Sequence, residues 1–191
     1  MSAPPAPVIF GPATLDDLMR VEGKAELVAG RIIHTVGSGH TPSRVAFKIA
    51  IRLEQHSDEV GVGIAYCDGI SFAQIPPLAN GRQSFSPDAC YYVGPLPKNE
   101  MRYIEGTPVF AVEVRSENDY GPRAEADMEA KRADYFEAGT LIVWDVDPEA
   151  KTVAAYRNDP ATPIETYRPG DVADAEPALV GWRLAVADIF R

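Results

Sequence analysis

The chain has 191 residues, 46% of them hydrophobic and 24% charged, which is the balance of one ordinary globular domain with a sizeable core. Eighteen basic against 28 acidic side chains leave a net charge of −10. That argues against tight, indiscriminate nucleic-acid binding but leaves room for a local basic rim or a site neutralised by a metal ion. No apolar run approaches the ~20 residues that span a bilayer, so no membrane partner is expected. The two cysteines, Cys67 and Cys90, form neither a zinc pattern nor a disulfide framework, and a reducing cytoplasm is the simplest setting.

Residues 1–12, which begin MSAPPAPVIF, lack the basic and long apolar regions of a signal peptide. They read as a flexible lead-in to a single domain over residues 13–191. Thr14, followed three residues on by Asp17, is a helix-start signal, and a short helix is expected there. KAELVAGRIIHTV reads as a hairpin, in which Leu27 and Val28 enter an Ala-Gly turn and Arg31 to Val36 return. In HTPSRVAFKIAIRLEQHSDEV, Thr41 is the expected N-cap and Pro42 the first helical residue, while Val45, Ala46, Ile49, Ala50 and Leu53 form one apolar stripe. VGIAYCDGISFAQI is strand-like with a turn at Asp68-Gly69, and Asn80-Gly81 marks a turn before a strand from about Pro87 to Val93. GPLPKNEMRYIEGTP reads as a loop. TPVFAVEVRSEN then opens with a strand apolar on both faces and spends a carboxylate, Glu113, near its end. A polar loop runs into a helix through NDYGPRAEADMEAKRADYFEAG, which Gly139 stops. LIVWDVD is a buried strand with PEAKTVAAYR as its hairpin partner, and Asp145 and Asp147 are assigned to the turn between them. The C-terminal DVADAEPALVGWRLAVADIF reads as irregular structure and edge strands. The order describes an α/β fold, a mixed sheet with a helix on each side.

Side chains alternate along a strand, so Glu113 and Arg115 share a face with Ala111, and Asp88 shares one with Cys90 and Tyr92. Neighbouring strands lie ~4.8 Å apart, close enough for Asp88 and Glu113 to reach one cation. Two such carboxylates repel unless a metal compensates, and oxygen-only donors suit Mg²⁺ or Mn²⁺. On the helix wheel Ala124, Met128, Lys131, Tyr135 and Ala138 share one face, with Glu125, Glu129 and Arg132 to the other side. Lys131 thus sits in an apolar stripe, where it needs a carboxylate, an anion or water. Beside a metal-bound pair of acids it could orient or deprotonate a water, or stabilise charge developing on a phosphate.

Plainer roles exist for each residue. Asp88 and Glu113 could pair with Arg115 or another base, Lys131 could extend outward to solvent, and Glu26 could bridge to Lys24 or Arg31. Asp127 fits a first-turn helix residue better than a ligand. His34, His40 and His56 lack metal spacing, Trp144 and Trp182 are packing residues, and Tyr135 belongs to the core with its hydroxyl toward the site.

In AELVAGRII with Glu26, SPDA with Asp88, VFAVEVRSEN with Glu113, and DMEAKRADYFEAGTLIVWDVDPEAKTVAAYR with Asp127, Lys131 and Tyr135, the chain resembles the Uma2 family (DUF820) within the PD-(D/E)XK nuclease superfamily. The resemblance runs from about Thr14 to Tyr156. It implies a restriction-endonuclease-like mixed β-sheet core flanked by helices, and Mg²⁺- or Mn²⁺-dependent hydrolysis of phosphodiester bonds in DNA. It also implies that Asp88, Glu113 and the Val114 carbonyl are metal ligands, that Glu26 binds the metal or its water, and that Lys131 is the catalytic lysine. A homodimer fits the family and the apolar C-terminal strands. The chain departs from the superfamily at Arg115, where a lysine is usual, and from the family's Ser-Pro-Ser at Ser116, Glu117 and Asn118. Arginine cannot act as a base but can hold a phosphate with two hydrogen bonds. The net charge and Glu117 also suit a catalytically degenerate module that binds nucleic acid or protein. Hydrolysis of another phosphorylated substrate is a third option.

Overall fold

The computed structural model describes residues 11–35 and 37–191, so most of the expected lead-in, and Val36 at the expected end of the hairpin, lie outside the described residues. Thr14 caps α1 (Leu15–Leu18): its hydroxyl accepts the Asp17 N–H, and the Asp17 carboxylate accepts the Thr14 N–H at 2.9 Å. The hairpin β1 (Ala25–Val28) and β2 (Arg31–His34) turns through Ala29 and Gly30, whose φ of 49° and 71° match the right-handed twist of the strands. α2 (His40–Val60) begins earlier than expected, with Gly39 rather than Thr41 as N-cap. Pro42 falls inside the first turn, where its missing N–H costs no helical hydrogen bond. The strand-like segment after α2 divides at Asp68-Gly69 into β3 (Ile64–Cys67) and β4 (Phe72–Ala73).

Next come β5 (Ser84–Phe85), β6 (Ala89–Tyr92), β7 (Ile104–Glu105) and β8 (Phe110–Val114). β7 forms within the segment read as loop. α3 (Pro122–Ala138) ends at Gly139 in the left-handed conformation, as its position predicts. The chain finishes with β9 (Ile142–Asp147), β10 (Thr152–Tyr156), β11 (Glu165–Tyr167), β12 (Val172–Asp174), β13 (Arg183–Ala185) and α4 (Val186–Ile189), a helical turn the sequence pattern does not announce.

Six strands form one mixed sheet in the order β11-β10-β9-β8-β6-β3. β8 and β9 are parallel, joined by the α3 crossover, and the other neighbours are antiparallel. Strand alternation divides the core. Phe110, Val112, Val114, Trp144 and Val146 pack with the apolar stripe of α2 and with Trp182, Leu184 and Ile189. Cys90, Ala111 and Val143 face the other way, beneath Tyr135, Phe72, Phe85 and Tyr92. Glu113 follows Ala111 onto this second face, and the parallel register sets Asp145 beside it. Both acids therefore stand near the carboxyl ends of two parallel strands, where open α/β sheets form crevices.

Candidate active site

The α3 face of the sheet holds a cleft of about 1200 Å³ whose walls include Lys24, Glu26, Asp88, Glu113 and Lys131. Its centre is a bridge. Lys131 Nζ lies 2.9 Å from Glu113 Oε2 and 2.9 Å from Glu26 Oε1. Lys131 and Tyr135 are one helical turn apart, so both reach Glu113 from α3, and the Tyr135 hydroxyl donates to Glu113 Oε1 at 2.6 Å. Stacking on Phe85, with ring centroids 4.3 Å apart, holds the Tyr135 ring in place.

Glu26 arrives from β1 and is committed on both oxygens. Oε1 accepts the Ser86 N–H at 3.0 Å, and Oε2 accepts from Arg82 at 2.5 Å. Arg82 continues to Asp134 on α3, also at 2.5 Å. Asp88 immediately precedes β6, where pairing with β8 stops at Ala89–Val112. Its Oδ2 accepts the Val114 N–H at 2.8 Å, and its Oδ1 lies 2.5 Å from Lys24 Nζ. Lys24 also reaches Asp68 at 2.9 Å. The Val114 carbonyl lies on the same strand edge as that of Val112, which accepts the Asp88 N–H.

These neighbours pull the titrations apart. Burial raises the Glu26 carboxyl, but Lys131 and Arg82 outweigh it and hold it at about 2. Burial raises Glu113 above the ordinary carboxylate value, and the attraction of Lys131 does not cancel this while Asp88 adds like charge. Burial opposes the charge on Lys131, but Glu113 and then Glu26 prevail and keep its pKa above that of a free lysine. The two acids thus favour the ammonium form of Lys131.

Lys131 stands between Glu26 and Glu113, and among the described residues no group of three or more His, Cys, Asp or Glu is arranged to hold a metal. Asp88, Glu113 and the Val114 carbonyl are the donors that fit one. They are hard oxygens, and a divalent cation would offset the burial and repulsion that raise Glu113. Two carboxylates suffice for Mg²⁺, which keeps waters and takes phosphate oxygens for the rest.

The family model described as "Putative restriction endonuclease" (Uma2) matches residues 14–187. The chain belongs to the Uma2 family. Among solved structures it is similar to a "putative nuclease belonging to DUF820" from Anabaena variabilis, with a TM-score of 0.70 and 18% identity, over 94% of this chain and 98% of that one. That likeness shows a shared fold, the mixed sheet flanked by helices. No curated protein matches the chain.

Beside the bridge, this Uma2 chain carries a second charged knot. Arg115 donates to both oxygens of Asp145, at 2.8 and 2.7 Å, and to Glu125 at 2.7 Å. Its fork is thus filled by a carboxylate and not open for phosphate, nor does it pair with Glu113. Arg132 joins Asp145 and Glu125 at 2.9 Å each, donates to the Pro160 carbonyl, and lies over the Tyr156 ring at 4.2 Å. Three sequence expectations are corrected here. Arg132 is not on the outer side of α3 but is almost wholly buried, and Asp145 belongs to β9 rather than to the turn. Only Asp147 caps that turn, accepting from the Glu149 and Ala150 N–H groups. Asp127 is exposed, 4.0 Å from Arg123, and stands in the second turn of α3 rather than the first; the first-turn acid is Glu125.

Lys24 and Arg82 are the residues that sequence reasoning missed. Lys24 had a signal, since it lies two positions before Glu26 and so shares its face. Arg82 had none, because its partners Glu26 and Asp134 are 56 and 52 positions away.

Proposed function

We propose that the chain is a metal-dependent endonuclease that hydrolyses phosphodiester bonds in DNA. The single observation that carries this reading is the Lys131 bridge to Glu26 and Glu113 in a cleft at the ends of β8 and β9, in a Uma2-family fold. Asp88 and Glu113, with the Val114 carbonyl, would hold Mg²⁺ or Mn²⁺. When bound, the ion supplies Lewis acidity at a phosphoryl oxygen and lowers the pKa of a water. Tyr135 and the Val114 N–H fix the planes of the two carboxylates, so each presents its second oxygen in one orientation. Lys131, as an ammonium group, places positive charge where the phosphate gains negative charge in the transition state. Glu26 holds Lys131 there from behind, and this role replaces the metal-ligand role the resemblance implies for it.

Supercoiled plasmid and single-stranded DNA, incubated with Mg²⁺ or Mn²⁺, test the reading. Wild type is expected to nick with metal and not with chelator. Glu113→Gln, which keeps the side-chain shape, is expected to lose at least about 100-fold, because one of the two carboxylates that hold the ion is gone. Equal cleavage by both proteins would overturn the assignment.

The degenerate-module reading draws on one observation, that every carboxylate of the site already has a cation against it. It predicts DNA retention without cleavage in the same experiment.

A further inference from the structure

Asp88 and Glu113 are built alike. Each has one oxygen anchored by an uncharged donor and turns the other to an ammonium group. The two ammonium groups are not equivalent. Lys131 is held between two acids of the site. Lys24 is held between one acid of the site, Asp88, and one outside it, Asp68, on the exposed turn after β3.

We infer that Lys24 contends with the divalent ion for Asp88 Oδ1 and withdraws to Asp68 when the ion binds, so that the Lys24–Asp68 pair sets the metal affinity. This rests on the metal reading above. Asp88 has only one oxygen free of the backbone, and Lys24 lies on it at 2.5 Å. The Lys24 side chain is only 17% exposed, so its charge needs a carboxylate at all times. Asp68, half exposed and already at 2.9 Å, lets Lys24 leave Asp88 without stranding a buried cation.

Titration calorimetry with Mn²⁺ alone tests this on wild type, Lys24→Met, Asp68→Asn and the double variant. Lys24→Met is expected to bind about tenfold tighter, the scale of one competing charge-assisted hydrogen bond removed. Asp68→Asn is expected to bind several-fold weaker in the wild-type background and unchanged, within about twofold, beside Lys24→Met, because its effect runs through Lys24. Equal weakening in both backgrounds would mean that Asp68 acts only through its field and would overturn the inference. So would a Lys24→Met protein that binds no tighter. In either case the metal reading survives if Glu113→Gln loses binding. If neither wild type nor any variant binds Mn²⁺, inference and reading fall together. Should Lys24→Met fail to fold, Lys24→Gln takes its place in the cycle.

Discussion

Glu26 and Glu113 share one lysine and answer pH in opposite senses. Glu26 has a folded-state pKa of about 2 against an ordinary 4.5, so its stabilisation is complete above about pH 4.5 and is lost as pH falls toward 2. Glu113 is raised, so the folded chain binds its proton more tightly than the unfolded one, and this site loses stability as pH rises past the ordinary carboxylate range. Glu26→Gln is therefore expected to cost on the order of 3 kcal/mol at pH 7, as when a buried pair loses one partner, and much less at pH 3. Glu113→Gln is expected to change stability by less than about 1 kcal/mol at pH 7. Urea denaturation of both variants at the two pH values measures this, and a pH-independent loss in Glu26→Gln would contradict it. Glu113, Asp88 and Lys131 were legible in the sequence because each breaks an apolar period, of two on the strands or of 3.6 on the helix. Lys24 and Arg82 break none. Lys24 has only its place two residues before Glu26, and Arg82 finds its acids only when the turn after β4 meets β1 and α3.

α3 is polar over much of its length, yet it carries the crossover between β8 and β9. Arg132 is one of the side chains that dock it, in the knot with Asp145, Arg115 and Glu125. Asp145→Asn leaves two guanidinium groups facing a neutral amide, and a loss of about 3 kcal/mol is expected. Replacing Asp145 by Leu together with Arg132 by Met and Arg115 by Met should recover most of that, because a buried ion cluster traded for apolar side chains is often neutral or stabilising. Chemical denaturation of the two proteins decides it, and equal instability would show that the knot stabilises beyond its charge pairing. The elements themselves were largely legible, since hairpin, helices and buried strands each carry a full period or a turn signal. The start of α2 was not, because Thr41 and Pro42 fit the first turn as well as they fit its boundary. The side of Arg132 was not either, since charge suggests solvent and the acids that bury it come from other elements.

The molecule keeps its main apolar core and its candidate chemistry on opposite faces of one sheet. Leu53 of α2 is fully buried on the face away from Glu113. Leu53→Ala is expected to cost about 3 kcal/mol of stability. Its cleavage rate at temperatures well below unfolding should stay within about twofold of wild type, because Leu53 lies on the face of the sheet away from Glu113 and Lys131. Thermal unfolding and nicking assays on one preparation check the pair, and a large rate loss in the folded variant would show the faces to be coupled. The adjacency of Lys131 and Arg132 has a further consequence, for insertions and deletions. Each residue turns an α-helix by about 100°, so one residue gained or lost upstream within α3 rotates both side chains off their acids together. The exposed Glu117 and Asn118, between β8 and α3, lie before that constraint begins. Variation in chain length can accumulate there, while the helix after Pro122 has to keep its count.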